Sequence, residues 1–298
     1  MDYPRDLIGH AGHPPDPRWP RNARIAVSVV LNYEEGGEYS PLHGDTHAEY
    51  VLTDAGVSTP RHGARDLLVE SHFGYGARAG FWRIARTLRA RNWPVTVYAV
   101  GMALERNPAA AAEMVAAGWE VACHGQRWID YAGVDEATER ADIAANAAIV
   151  TRLTGTRPVG WYTGRMSANT RRLVAEHGGF LYDSDSYDDD LPYWRCEAGH
   201  DVLVVPYALD VNDARMARGG DLPNAEQWFG YARDTFETLY EEGGRMMSVG
   251  LHARLIGRPG RIAGLQRLLD HIGTRDGVWR ATRADIARHW RAEFPQQR

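Results

Sequence analysis

Four ionisable residues stand where short apolar runs end. Glu34 and Glu35 follow Ile25–Tyr33, His124 lies in Glu120–Gly125, and His252 closes Met246–His252. Carboxylates and imidazoles gathered at one place are the equipment of general acid/base catalysis, in which one group takes a proton from water and another gives one to a leaving atom. Other polar groups arrive in the same way. Val159–Thr163 carries Tyr162 and runs into Gly164-Arg165, Phe180–Asp185 ends in Asp183 and Asp185, and Leu203–Asp210 ends in Asp210. Ionisable groups converging from several strand ends point to an acid/base hydrolase.

The runs that must position them read as buried strands, being rich in Val and aromatic residues and bounded by Gly, Pro or polar residues. Val95–Gly101 and Val278–Thr282 complete the set. Helical patterns lie between them at Arg78–Arg91, Pro108–Ala117, Asp135–Leu153, Asn169–His177, Ala225–Glu242 and Pro259–Ile272, with a last helix at Arg283–Trp290. Strand and helix alternating about seven or eight times argue an α/β fold with a mainly parallel sheet, closed or nearly closed as an irregular (β/α) barrel. Active sites of such barrels lie at the C-terminal ends of the strands, where these residues fall. Residues 1–23, rich in Pro, His and Arg, read as an irregular N-terminal arm, and 24–298 as a single domain. Gly36–His72 is weakly periodic and Gly/His-rich, and loops of that length are usually functional.

Composition removes several alternatives. The 298 residues carry a net charge of −5, and all 34 basic residues are arginine. The charge argues against a nucleic-acid partner. The lack of lysine excludes a Schiff-base lysine, a P-loop lysine and a carbamylated-lysine metal bridge. Two cysteines, Cys123 and Cys196, are too few for a disulfide framework or a Cys-rich zinc site. The N-terminus lacks the apolar core of a signal peptide, and no apolar run is long enough to span a bilayer. These features lead to the expectation of a cytoplasmic protein without a membrane partner.

The stretches YPRDLIGH, VLNYEEGGE with LHGD, RAGFWRI, CHGQRWIDY, RPVGWYTGR, TRRLVAEHGGFLYDSDSYDDDLPYW and GLHARLIGRP resemble the polysaccharide deacetylase (NodB-homology) superfamily, from about Ile25 to Trp290. Within it the chain looks most like the allantoinase branch of purine catabolism. The resemblance implies an irregular β/α barrel of the deacetylase type. In deacetylases an aromatic residue precedes Asp-Asp-Gly, one Asp being the general base and the next a metal ligand; here the positions read Tyr33-Glu34-Glu35-Gly36, each acid one methylene longer. The family's second motif pairs two metal-binding histidines four residues apart. His124 is kept, but Trp128 holds the second position, and an indole offers no lone pair. Since a catalytic zinc usually needs three protein ligands, the metal site reads as dismantled. Residual binding at Glu35 and His124 is not expected to be required. Among the loop histidines His43, His47 and His72, only His43 belongs to the resemblance, through LHGD, and is expected near the site.

The Arg-x-Pro of the third family motif is replaced by Tyr162-Thr163-Gly164, followed by Arg165, whose guanidinium could fork onto substrate oxygens or pair with Asp183 or Asp185. Leu251-His252 matches the motif whose His is the general acid. Arg254 and Arg258 either face substrate or pair with the acidic stretch Asp188–Asp190. The expected catalytic set is Glu34, Glu35, His124 and His252. Glu35 or Glu34 would activate water and His124 or His252 would protonate the leaving nitrogen. Trp128, Arg165, Tyr162, His43 and Asp185 would bind substrate, with Trp128 forming either a flat wall for a planar ring or barrel packing. Of two neighbours leaving a strand, only one faces the pocket. The resemblance implies hydrolysis of a small neutral cyclic amide, allantoin to allantoate, by a metal-free homotetramer. A cyclic imide hydrolase, a metal-dependent carbohydrate N-deacetylase and a non-catalytic binding protein are the alternatives.

Overall fold

The computed structural model describes residues 5–56 and 59–296; residues 1–4, including the start of YPRDLIGH, and positions 57–58 of the long loop lie outside them. Nine strands among the described residues form one sheet in the order β6-β7-β5-β4-β3-β2-β1-β8, with β9 paired to β1. Strand β1 (Ile25–Tyr33) is parallel along its length to β8 (Arg245–His252). Its other edge is shared: Ile25–Val27 pair with β9 (Val278–Arg280), and Val29–Tyr33 with β2 (Val95–Ala99). The sheet continues through β3 (Glu120–Cys123), β4 (Gly160–Trp161), β5 (Tyr182–Asp183) and the hairpin β6 (Tyr193–Glu197) to β7 (His200–Val204). A parallel bridge between Asn212 and Gly250 brings the chain after β7 back against β8, so the sheet curls into the expected irregular barrel.

Alternation along β1 divides two packing regions. Val27, Val29, Leu31 and Tyr33 belong to the cluster that holds Phe81, Ile84 and Leu88 of α2 (Phe81–Arg89). Ala26 and Val30 belong to a second cluster, inside the curl, with Tyr98, Tyr162 and Tyr207. That interior is closed by Arg283, the first residue of α9 (Arg283–Glu293). Its guanidinium donates to Ser184 Oγ at 3.1 Å, Ser248 Oγ at 2.7 Å and the Pro206 carbonyl at 2.6 Å, and also to the Val205 carbonyl. A fully buried cation is tolerable when its donors are met in this way.

The helices follow the sequence pattern except beside the site and at Gly101–Arg106, a short helix that the pattern did not show. α5 (Glu136–Thr154) and α7 (Ala225–Glu242) start at caps from Asp135 and Asn224, as expected for oxygen-bearing side chains at helix starts. The expected helix over Arg78–Arg91 instead begins inside the long loop. Asp66 caps α1 (Leu67–Tyr75), and a π turn, Gly76–Gly80, joins it to α2. The hairpin has no counterpart in the sequence pattern, and the expected strand Leu203–Asp210 ends at Val204. Pro206 has no N–H to continue a ladder. The remaining helices are α3 (Gly101–Arg106), α4 (Pro108–Ala116), α6 (Thr170–His177) and α8 (Ile262–Gly273). Within the arm, Trp19 is buried, donates its indole N–H to the Arg245 carbonyl at 3.0 Å, and packs near Trp279 at 5.5 Å.

Candidate active site

Glu34 lies at the centre of the rim. The even residues of β1 face the curl, and Glu34 continues that face, while Glu35 turns outward towards the π turn. Oε1 of Glu34 is 3.2 Å from His124 Nε2 and 3.4 Å from His252 Nε2, and Oε2 is 2.7 Å from Arg254 Nη1. Burial alone would raise the Glu34 carboxyl, but the Arg254 guanidinium and the His252 ring beside it hold it well below the usual carboxylate range. For Glu35 the balance reverses. Burial raises it, Arg254 opposes, and the charge on Glu34 adds to the rise. Adjacent carboxyls pushed apart in this way take different roles.

His252, at the end of β8, is held by a residue the sequence reading missed. Asp213 Oδ1 sits 2.6 Å from His252 Nδ1, and its Oδ2 accepts the backbone N–H groups of His252 at 2.8 Å and Ile256 at 3.0 Å. Burial pushes the imidazole down, yet Glu34 and Asp213 outweigh it and raise it to about 9. His252 is therefore an imidazolium at neutral pH, with one N–H committed to Asp213 and the other turned towards Glu34. The available signal was an acid placed in the chain just beyond a barrel strand, at Asn212-Asp213 in the loop after β7.

His124 is fixed differently. Its Nδ1 donates to the Tyr162 carbonyl at 3.0 Å, and its ring stacks on Tyr162 with centroids 5.0 Å apart. Its backbone N–H donates to Asn146 Oδ1 at 3.0 Å. Nε2 is left to face the site. Tyr162 thus touches a site imidazole, and its hydroxyl lies 2.8 Å from that of Tyr187.

Trp128 is 5% exposed. Its ring lies between two guanidiniums, Arg165 at 4.8 Å and Arg254 at 5.0 Å, with Phe73 at 6.0 Å. Arg165 does not pair with Asp183 or Asp185; it meets Glu49 Oε2 at 2.9 Å. Asp183 pairs with Arg195 at 3.2 Å, and Asp185 accepts the backbone N–H groups of Thr163 and Gly164 at 2.8 and 2.7 Å, so it supports the turn before Arg165. Asp210 is exposed and outside this cluster. Nor do Arg254 and Arg258 reach Asp188–Asp190: Arg254 is buried against the glutamates, and Arg258 stacks on Tyr75 at 3.7 Å. For the three arginines the cause is a nearer counter-charge or ring supplied by another segment.

The three loop histidines do not gather. His43 lies between Arg106 and Arg127, at 2.7 and 3.2 Å, and burial together with those cations lowers its pKa. It braces the loop through the Glu38 carbonyl rather than touching the glutamates. His47 packs on Tyr39 at 4.4 Å, while His72 belongs to α1 and meets Asp54 at 3.3 Å. A strap over the site, Glu49 to Asp54, is pinned by Arg165, by Arg254 donating to the Leu52 carbonyl at 3.0 Å, and by Arg261 on Asp54 at 2.8 Å.

These residues do not fit a catalytic metal. At the family's ligand positions the Glu35 carboxyl is packed on Gly76, His124 Nε2 faces Glu34, and Trp128 has no lone pair to give. A guanidinium already neutralises Glu34, and at about 4 Å a like charge is repelled by roughly 4 kcal/mol per unit charge near a protein surface. Among the described residues no three His, Cys, Asp or Glu side chains are arranged to hold an ion.

The rim of the curled α/β sheet holds a carboxylate between two imidazoles, one backed by an aspartate, groups able to take and give protons. The chain belongs to the polysaccharide deacetylase family. The family profile described as polysaccharide deacetylase matches residues 65–179. A putative polysaccharide deacetylase of Schizosaccharomyces pombe is 44% identical, covering 98% of each chain. The crystal structure of a probable polysaccharide deacetylase from Pseudomonas aeruginosa PAO1 is 54% identical over 99% of this chain and 100% of that one, with a TM-score of 0.96. The crystal structure of PuuE allantoinase is 51% identical over 100% of both chains, with a TM-score of 0.97. No helix among the described residues is long and apolar enough to cross a membrane.

Proposed function

We propose that this deacetylase-family hydrolase opens the ring of a small neutral cyclic amide, allantoin to allantoate, by acid/base catalysis that needs no metal. The observation that carries the reading is the pairing of Arg254 with Glu34 at 2.7 Å, over the indole that stands where a ligand imidazole would be. The full-length likeness to an allantoinase supports the substrate class.

In this reading Glu34, ionised and facing the curl, takes a proton from water as the water oxygen bonds to the ring carbonyl carbon. The His252 imidazolium gives its Nε2 proton to the leaving ring nitrogen as the C–N bond breaks. The proton on Glu34 then returns to His252 across the 3.4 Å between them. Asp213 keeps the imidazole oriented throughout and favours its return to the charged form. His124 Nε2 completes the walls. Glu34, His124, His252 and Arg254 are buried, so substrate reaches them past the segments that cover them. The reading includes a cytoplasmic homotetramer in purine breakdown, which sedimentation and fractionation check.

A second reading, carbohydrate N-deacetylation, is favoured by the two relatives described as polysaccharide deacetylases. One assay separates the two. The purified protein is offered allantoin, hydantoin, succinimide and N-acetylglucosamine oligomers, with and without chelator. Chelator-resistant turnover of allantoin is expected. Turnover of the oligomers that chelator abolishes overturns the reading.

A further inference from the structure

Arg254 is fully buried, and its three nitrogens differ. Nε donates to the Leu52 carbonyl at 3.0 Å. Nη1 faces both glutamates, 2.7 Å from Glu34 Oε2 and 3.5 Å from Glu35 Oε1. Nη2 is buried and has no hydrogen-bond partner among the described residues. The guanidinium carbon lies over the rings of Phe73 at 4.2 Å and Trp128 at 5.0 Å, packing that restrains the group. An unmet charged donor in such a place costs free energy, and nothing in the packing requires that cost.

We propose that Arg254 is the fixed cation of this site: it takes the role a metal ion would have beside these glutamates, and its unpartnered Nη2 receives the carbonyl oxygen of the substrate amide as that oxygen becomes an oxyanion. This deepens the cyclic-amide reading and rests on it for the identity of the substrate. Three observations meet here. The cation adjoins the base, Nη1 lying 2.7 Å from Glu34 Oε2, so an oxygen bound at the neighbouring Nη2 would lie close to Glu34. It touches the positions the family uses for ligands, Glu35 and Trp128 directly and His124 through Glu34. It is also rigid, and preorganised donors in a water-poor site stabilise developing charge without reorganising. No bond to Arg254 forms or breaks; its N–H group tightens its contact to the oxygen while C–O gains negative charge and C–N weakens.

The test has two arms. In the first, steady-state turnover of allantoin is measured for the wild type, Arg254→Lys and Arg254→Ala. Both variants should lose about 10²- to 10³-fold in kcat, the magnitude seen when one oxyanion donor is removed, with KM changed by only a few-fold. Added guanidinium ion should restore part of the loss in Arg254→Ala and none in Arg254→Lys. A wild-type kcat in Arg254→Lys overturns the proposal, as does absence of rescue in an Arg254→Ala protein with native circular dichroism. If Arg254→Ala does not fold, the kcat of Arg254→Lys decides.

The second arm needs no substrate, so it separates failure of this inference from failure of the cyclic-amide reading. Zinc alone is titrated calorimetrically into Trp128→His and into Trp128→His/Arg254→Met. The double variant should bind zinc at least about 100-fold more tightly, since a cation beside the ligands repels a second. Equal affinity in the two overturns the idea that Arg254 holds the metal's place.

Discussion

Asp213 Oδ1 lies 2.6 Å from His252 Nδ1, although 39 residues separate the two along the chain. The same carboxylate accepts two backbone N–H groups, those of His252 itself and of Ile256 in the loop after β8, so it fixes both the ring and the segment that carries it. The charge on His252 is therefore a product of packing.

The first prediction concerns pH. The acid form of His252 persists until pH rises through about 9, so kcat should hold at neutral pH and fall above that value. Asp213→Asn removes a counter-charge, should move the alkaline limb to lower pH, and should cut turnover at neutral pH by roughly 10²-fold. A pH–rate profile of both proteins checks this. Because the folded pKa is raised, the same group adds stability that is fully present below about 6.5, the usual histidine value, and is lost as pH rises through about 9. Denaturation midpoints of wild type and His252→Gln across that window should converge at alkaline pH.

The two glutamates should not be equivalent. Glu34→Gln leaves shape intact but removes the base, and kcat should fall by about 10²-fold or more. Glu35→Gln should have the smaller effect on kcat, since that carboxyl faces the π turn. Single-turnover rates of the pair decide; an unimpaired Glu34→Gln would transfer the role to Glu35.

The π turn sets the position of Glu35. A Cβ on Gly76 would collide with Glu35 Oε1, and one on Gly80 with the Ala253 carbonyl next to His252. Gly76→Ala should destabilise the protein by about 1–3 kcal/mol, the usual cost of overpacking, and lower turnover as well. Urea denaturation with parallel assays measures both.

Arg283 holds the interior of the curl. Arg283→Ala leaves the carbonyls of Val205 and Pro206 and three serine hydroxyls without their shared donor. A loss of about 3–5 kcal/mol is expected, as for other broken buried charge networks. Calorimetric unfolding of the variant would show it, and a loss below about 1 kcal/mol would mean that water replaces the guanidinium.

Much of the scaffold was legible because it is local. The apolar run Ile25–Tyr33 is β1 to the residue, and the 3.6-residue pattern over Ala225–Glu242 is α7 to the residue. The hairpin Tyr193–Val204 was not legible, because many of its residues are half-exposed and lack alternation. The helix Leu67–Tyr75 was hidden in the loop because Leu67 and Leu68 face outward and blur its period.

The sequence by itself determined that Glu34, Glu35, His124 and His252 stand at strand ends and that one ligand type is missing beside them. Strand periodicity puts the two glutamates on opposite faces, and an indole at Trp128 cannot ligate a metal in any fold. Only the tertiary structure decided that Glu34 is the inward one, that Asp213 backs His252, and that Arg254 is buried between the glutamates instead of pairing with Asp188–Asp190. Those relations join residues tens to hundreds of positions apart. Residue type and spacing set what a side chain can do, but the sign and strength of its field depend on neighbours that only the folded chain supplies.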